Sequence, residues 1–337
     1  MMTPEAKPTA RRATAKDVAQ TLGLSRTTVG YVLNNTPGQS IPAATRQKVM
    51  REAARLGYRP HSAARALASG RTRVVLLMLP DWPIDYTMRR NIEEATHTLE
   101  KAGYALITST IRQSTNMRLL WEVLEPDAVL GYVPFSEEHV TEMRRSNVAR
   151  IIPNPDTIAQ LQRYPEEGPA IQIRHLIEQG HRRLAFAATA DPRVRDLCQR
   201  RYERARDFAQ ESGIQLSTES IDYRDNSANE AVEKWLAEGV TGVACYNDDV
   251  AATLIGRAIE SGIDVPDKIS VVGLDDAPIA SIMHPQITSV RLDAAGLGVT
   301  LAQLAIAEIE DRPYAATASF PQASLVIRSS TAAPNMP

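Results

Sequence analysis

The chain has 337 residues, more than a single hydrophobic core ordinarily serves, so two or three domains are expected. Hydrophobic residues make up 43% of it, and no apolar run approaches membrane-spanning length. The net charge of −2 conceals a division: residues 1–73 hold 13 Lys and Arg against 3 Asp and Glu, whereas residues 74–337 hold 25 against 37.

A basic head on an acidic body points to a polyanion-binding module joined to something else. The start, MMTPEAKPTARRA, has basic residues but no apolar stretch behind them, so no secretory signal is expected. Cys198 and Cys245 offer no disulfide framework, which suits a reducing cytoplasm. The six histidines, at 61, 97, 139, 175, 181 and 284, have no metal-ligand spacing, and neither a metal nor a cofactor is expected.

Residues 1–12 are rich in Pro, Ala and Arg without periodicity and read as a disordered arm. From Thr14 to Asn34 the pattern is two short helices around a tight turn. Thr14 and Asp17 fit a capping box; Val18, Ala19 and Leu22 share a face; Gly23 breaks the helix. Ser25 is a fresh N-cap, and Val29, Val32 and Leu33 again align. Arg26, Thr27, Gly30 and Tyr31 fall on the opposite face. This is a helix-turn-helix whose second helix can enter a DNA major groove; the plain alternative is a helical hairpin in a larger core. A loop over Asn34–Gly38 leads past Pro42 into a third helix buried through Val49, Ala53 and Leu56 and ended by Gly57.

The stretch from Arg59 to Gly70 has enough alanine for about two helical turns, too few to be stable alone, and reads from composition as a semi-flexible linker. From Arg73 onward short apolar runs alternate with helical segments. Strands are expected at 74–79, 105–107, 128–133, 150–152, 184–187, 242–245, 269–274 and 325–327, with an amphipathic helix over 89–102. Continuous apolar strands separated by helices indicate parallel sheets covered on both faces, and their number suits two sheets better than one.

Residues 13–70 resemble the DNA-binding head of the LacI/GalR family of bacterial transcription regulators. The likeness rests on Lys16-Asp17-Val18-Ala19, Ser25-Arg26-Thr27-Thr28-Val29, Val32-Leu33-Asn34, Thr45-Arg46 and Leu56-Gly57-Tyr58-Arg59-Pro60. Further on, residues 178–186, Tyr246-Asn247-Asp248, residues 269–276 and residues 285–290 are similar to the family's later motifs. The resemblance implies an N-terminal all-α helix-turn-helix head and a periplasmic-binding-protein-like sensor of two Rossmann-like parallel-sheet subdomains. Its expected division is a head over 13–59, a hinge helix over 60–72, one subdomain from 73–162 with 291–320, and another from 163–290 with 321–330. It implies a cytoplasmic, nucleoid-associated homodimer that binds a pseudo-palindromic double-stranded DNA operator, with repression as the expected sign, and that responds to a small-molecule effector in the cleft. No membrane partner is expected.

For DNA the resemblance implies Arg26, Thr27 and Tyr31 as base readers and Ser25, Thr28 and Arg46 as phosphate contacts, with Thr14, Asn34 and Tyr58 alongside. Leu67 takes the place of a leucine wedged into the minor groove, with Ala64 close by, which gives the marginal helix a purpose on kinked DNA. Gly30-Tyr31 departs from the family's usual Ser-Arg, and Tyr cannot copy a bidentate contact to guanine. For the effector the resemblance implies Arg201, Asn247 and Asp275, while Trp82 and Tyr86, beside Asp85, form an unusual entrance suited to a larger or partly apolar ligand. The plain alternatives are that Arg201 lies on a solvated helix face, that Asn247 caps a helix, and that Asp275 caps a turn. The rival readings are a periplasmic-type solute-binding protein and an α/β enzyme. The first is expected to carry a signal peptide and no basic helical head; the second lacks G-x-S-x-G, Walker A and G-x-G-x-x-G patterns, Gly296-Leu297-Gly298 being read as helix packing.

Overall fold

The structure, a computed structural model, describes residues 13–34, 38–58, 70–111, 119–153, 167–314 and 322–335. The expected arm over 1–12 and the expected hinge residues Ala64 and Leu67 lie outside the described residues. Packing divides the chain into two compact units, Met1–Arg73 and Val74–Pro337.

The first unit is a three-helix bundle: α1 (Ala15–Leu22), α2 (Arg26–Leu33) and α3 (Ala43–Arg55). The capping box forms at α1, where Thr14 Oγ1 accepts from the Asp17 amide and the Thr14 amide donates to Asp17 Oδ2. Gly23 then closes α1 at φ +64°, in the left-handed region where a glycine pays no steric penalty. The core is Val18, Ala19, Val29, Val32, Val49 and Ala53, with Tyr58 packed against it. So few buried side chains can hold three helices only because each helix contributes one stripe to the same small centre.

The second unit holds two sheets. The first is all parallel, in the order β2 (Ala105–Thr110), β1 (Val74–Leu79), β3 (Ala128–Gly131), β4 (Ile151–Ile152). Along β1 the side chains alternate between two buried faces. Val75, Leu77 and Leu79 pack with α4 (Tyr86–Lys101) and α12 (Ala294–Ile309), while Leu76 and Met78 pack on Trp121 and Met143 from α5 (Leu120–Leu124) and α6 (Glu137–Arg145).

The second sheet has the order β10 (Ser324–Val326), β9 (Thr288–Arg291), β8 (Ser270–Leu274), β7 (Gly242–Cys245), β5 (Leu184–Thr189), β6 (Leu216–Ile221); β10 alone runs antiparallel to its neighbour. Its helices are α7 (Glu167–Glu178), α8 (Arg195–Glu211), α9 (Ser227–Ala237), α10 (Asp248–Glu260) and the short α11 (Pro278–Ile282). The C-terminal segment is tied to this sheet by two buried histidines: His175 Nε2 pairs with Thr331 Oγ1, and His181 Nε2 donates to the Ala332 carbonyl. Burial holds both imidazoles below their ordinary pKa.

Two strands depart from expectation. β6 and β9 were not among the expected strands, because LSTESI lies half-exposed at a sheet edge and TSVR buries hydroxyls rather than hydrocarbon. Thr288 and Ser289 are fully buried and hydrogen-bonded to Ser330, Thr331 and Asp248. Such satisfied polar strands carry no apolar signature.

Gly298 stands where α12 crosses α4, and a β-carbon there would be driven into the carbonyl oxygen of Asn91. Backbone cannot yield as a side-chain tip can. Gly298→Val is therefore expected to destabilise the sensor by about 1–3 kcal/mol, the usual range for overpacking, read as a lower urea midpoint. An unchanged midpoint would mean that the two helices can separate freely.

Candidate functional site

Two regions gather functional side chains. In the head, α2 turns Val29 and Val32 inward and leaves Arg26 and Thr27 exposed, with Gly30 and Tyr31 half-buried beside them. Ser25 Oγ accepts from the Thr28 amide at 3.0 Å and pairs with Thr28 Oγ1 at 2.8 Å, so both hydroxyls are placed at the helix start. The first-turn amides of a helix already favour anions, and the two hydroxyls add donors there. Asn34 ends α2 and is exposed, while Arg46 is half-buried on the first turn of α3.

In the second unit, the segments that follow β1 of the first sheet and β7 and β8 of the second border one cavity. Each sheet reverses its winding direction there, between β1 and β3 and between β5 and β7, the arrangement that leaves a crevice at the carboxyl edge. Arg201, on α8, is buried although its neighbour Arg200 is exposed. Its Nη1 donates to the Tyr246 carbonyl at 2.6 Å, its Nη2 to Asp275 Oδ1 at 3.3 Å, and its guanidinium lies 4.7 Å from the Tyr246 ring centre. Burial works against the Arg201 charge, yet Asp275, Tyr246 and Asp85 together hold its pKa above the ordinary value. Its Nε is buried with no hydrogen-bond acceptor among the described residues.

Asp275 is aimed by a strained turn. Asp275 and Asp276 have φ of 102° and 49°, conformations that residues with side chains rarely adopt. Four sets of bonds impose them. The Asp275 amide donates to the Val290 carbonyl and the Asp276 amide to Ser289 Oγ. The Ala277 amide donates to Asp248 Oδ2 at 2.6 Å, and the Asp276 carboxylate accepts from Arg291 and Arg328. Asp248, at the head of α10, also accepts from Ser289 Oγ at 2.6 Å, so it anchors two sides of the turn. Asn247 caps α10 by accepting from the Val250 amide, the plain role that the sequence left open. Gln172, which sequence reasoning missed, donates from α7 to the carbonyls of Cys245 and Gly273, joining two strand ends.

A cavity of about 200 Å³ opens here. Tyr86, Asn247 and Asp275 line it with Asp85, Arg89 and Asp249, beside the apolar Ile84, Pro278 and Ile279. Trp82 and Arg201, also expected at the effector, are not in its lining. Trp82 instead meets Tyr132 edge-on at 6.1 Å and packs against the cores of both sheets. Asp249 and Arg89 were legible only as charges, since no motif marks them.

Burial pushes Asp248 up to about 8 against the pull of its bond from Ser289, and pushes Asp275 up to about 6 against Arg201. A carboxyl raised in the folded state binds more protons there than in the unfolded chain. Its stabilising contribution is present at low pH and lost as pH rises through the folded value. The histidines act in the opposite sense, below about pH 6.5. Between about pH 6.5 and 8, Asp248 therefore governs, and the sensor should lose about 1–2 kcal/mol of stability there. Asp248→Asn should abolish that slope in urea titrations; an equal slope in both proteins would contradict the assignment.

Comparison with known proteins places these features. The pattern of the bacterial regulatory proteins of the lacI family matches residues 14–61, and that of the periplasmic binding protein-like domain matches residues 173–331. The HTH-type transcriptional regulator GalR of Escherichia coli (strain K12) is 32% identical over 96% of this chain and 97% of its own. Catabolite control protein A of Priestia megaterium is 31% identical, over 86% and 91%. Among solved structures, the lac repressor dimer bound to operator and the anti-inducer ONPF is similar in fold, with a TM-score of 0.75 at 21% identity over 96% of this chain and all of that one. With a helix-turn-helix head, two parallel-sheet lobes around a cleft and relatives that are transcription regulators over nearly their whole length, the chain belongs to the LacI family of DNA-binding transcriptional regulators.

Proposed function

We propose that the protein is a repressor that binds a pseudo-palindromic operator as a homodimer in the cytoplasm, on the nucleoid, and releases or tightens on DNA when a small molecule enters the sensor cleft. The observation that carries the DNA reading is the exposed face of α2, with Arg26 and Thr27 free of the bundle core and Tyr31 beside them. In this reading those three side chains meet base edges, while Ser25, Thr28 and Arg46 meet phosphates, with Thr14, Asn34 and Tyr58 beside them. Leu67 and Ala64 act at the hinge. The repressor sign is supported by the naming of a 27% identical relative, PurR of Photobacterium profundum, as a transcriptional repressor.

The sensor reading assigns residues 73–162 and 291–320 to one lobe and residues 163–290 and 321–330 to the other. Its support is that α12 shares the first sheet's core while β9 and β10 complete the second sheet. The effector reading is supported by the cleft itself. Tyr86, Asn247 and Asp275 border its cavity, Arg201 stands behind Asp275, and Trp82 bridges the lobes as the group whose packing changes when they move. A LacI-fold relative at 22% identity was solved as a CelR–cellobiose complex, with a TM-score of 0.60.

Binding of duplex DNA should weaken steeply with salt, because Lys and Arg displace condensed counterions, with a slope of about −0.9 per phosphate neutralised. Fluorescence anisotropy across a salt series measures this, and a salt-insensitive or strictly monomeric complex would contradict the reading. Tyr31→Arg should move the preferred operator toward guanine at one position in each half-site, by about 1–3 kcal/mol, in selection from randomised duplexes. An unchanged preference would remove Tyr31 from the bases.

A further inference from the structure

The chain passes between the two lobes more than once, and residues beside its passages meet in one small core. Leu274, Val290 and Leu292 are buried together, with Ile171, Ala323 and Leu325 packed against them. Ile171 belongs to α7, beyond β4 of the first sheet; Leu292 follows β9; Ala323 and Leu325 lie at β10, after α12. The three buried members belong to neither sheet's main core. α7 presses on them at Gly168, where a β-carbon would stand 2.8 Å from Leu274 Cδ1 and 3.4 Å from Leu292 Cδ2. A cluster that joins the passages is where relative movement of the lobes is absorbed.

Leu274 immediately precedes the Asp275–Asp276 turn, so the cavity wall is continuous with this cluster. Asp275 borders the cavity and pairs with Arg201. Asp276 instead accepts from Arg291 Nε at 2.8 Å and from Arg328 Nη2 at 2.5 Å. The two arginines differ. Arg328 has a side chain only 15% exposed and also donates to the Ile287 carbonyl, so it holds the turn to its own sheet. Arg291 is 58% exposed and is the last residue of β9. Only Leu292 separates it from Asp293, which caps α12 by accepting from the Gly296 amide.

α12 in turn packs along α4, with Gly298 against the Asn91 backbone, and α4 starts at Tyr86, capped by Asp85, on the cavity wall that the first lobe supplies. Ion pair, one-residue link and helix packing thus run without a break from one wall to the other. Networks of this kind carry coupling when they have two arrangements. An ion pair as exposed as Asp276–Arg291 adds little to stability, so its place at the passage is what distinguishes it.

We propose that Asp276 is a positioning residue for Asp275, and that Arg291 passes a shift of the turn to α12. The shift then reaches the first lobe, whose β1 follows the DNA-binding head in the chain. This rests on reading the cleft as the effector site.

Operator affinity of the full-length protein tests this, by fluorescence anisotropy on a duplex selected from a randomised pool. Asp275→Asn disturbs the turn from the cavity side and should change that affinity about fivefold or more, the lower range of ordinary coupling between sites. In an Arg291→Gln background the same substitution should change it by less than about twofold, the scatter of independent sites. Arg291→Lys, which keeps the charge, should restore the response. Lys234→Gln, which breaks an ion pair of similar exposure on α9, should leave the response intact. Thermal midpoints verify that each variant folds, and Arg201→Lys, disturbing Asp275 from α8, replaces Asp275→Asn if that variant does not. An equal response with and without Arg291→Gln, no response in the wild-type background, no restoration by lysine, or an equal loss in Lys234→Gln overturns the proposal. A protein that selects an operator but shows no such coupling remains a regulator with another route to its head. Failure to select any operator overturns the regulator reading and the proposal together.

Discussion

The sensor depends on keeping a carboxylate in a place where water would not leave it. Asp275 is held beside Arg201 in a buried pair, on a turn whose backbone is itself unfavourable. Neither the pair nor the turn stabilises the fold cheaply, because desolvating two charges costs several kcal/mol per ion before their attraction is counted. The surrounding network from Asp248, Ser289, Arg291 and Arg328 offsets that cost and fixes the geometry. Strain imposed by so many bonds and placed at the edge of a cavity is what a preorganised binding site looks like.

The same logic explains how two lobes can act as one device. Each sheet has its own core, and Trp82 is half-buried against both. A side chain that packs on two cores reports any change in their separation. Arg201 and Asp275 come from the second sheet's lobe, whereas Asp85 comes from the first, and it bears on the charge of both. The DNA head follows another economy: among its described residues six buried side chains, with Leu22, Leu24, Leu33, Ile41, Leu56 and Tyr58 partly buried against them, hold three helices.

Much of this was legible in the residues. The capping box at Thr14, the break at Gly23 and the apolar stripes of the head follow from local chemistry, and strands such as Val74–Leu79 announce themselves as continuous apolar runs. Motif likeness pointed to Asp275, Asn247 and Arg201, but not to their surroundings. Arg201 and Arg200 are alike in sequence, and only the packing of α8 decides which one is buried. Trp82 and Tyr86 were expected together at the ligand, yet tertiary packing takes Trp82 into the interface between cores and leaves Tyr86 at the cavity. β9 escaped notice because its interior face is built from hydroxyls whose partners lie about 40 residues away in the chain. That Asp85, Asp249 and Asp275 border one cavity is a property of the folded chain alone, since nothing local connects residues so distant in sequence.

The central claim is that this chain recognises specific DNA sequences and governs the genes beside them. Genome-wide mapping of its bound sites in the native cell tests that most directly. A limited set of promoters sharing one two-fold symmetric motif is expected, with half-sites spaced for a dimer of helix-turn-helix heads. Occupancy without any shared motif, or none above background, would contradict it.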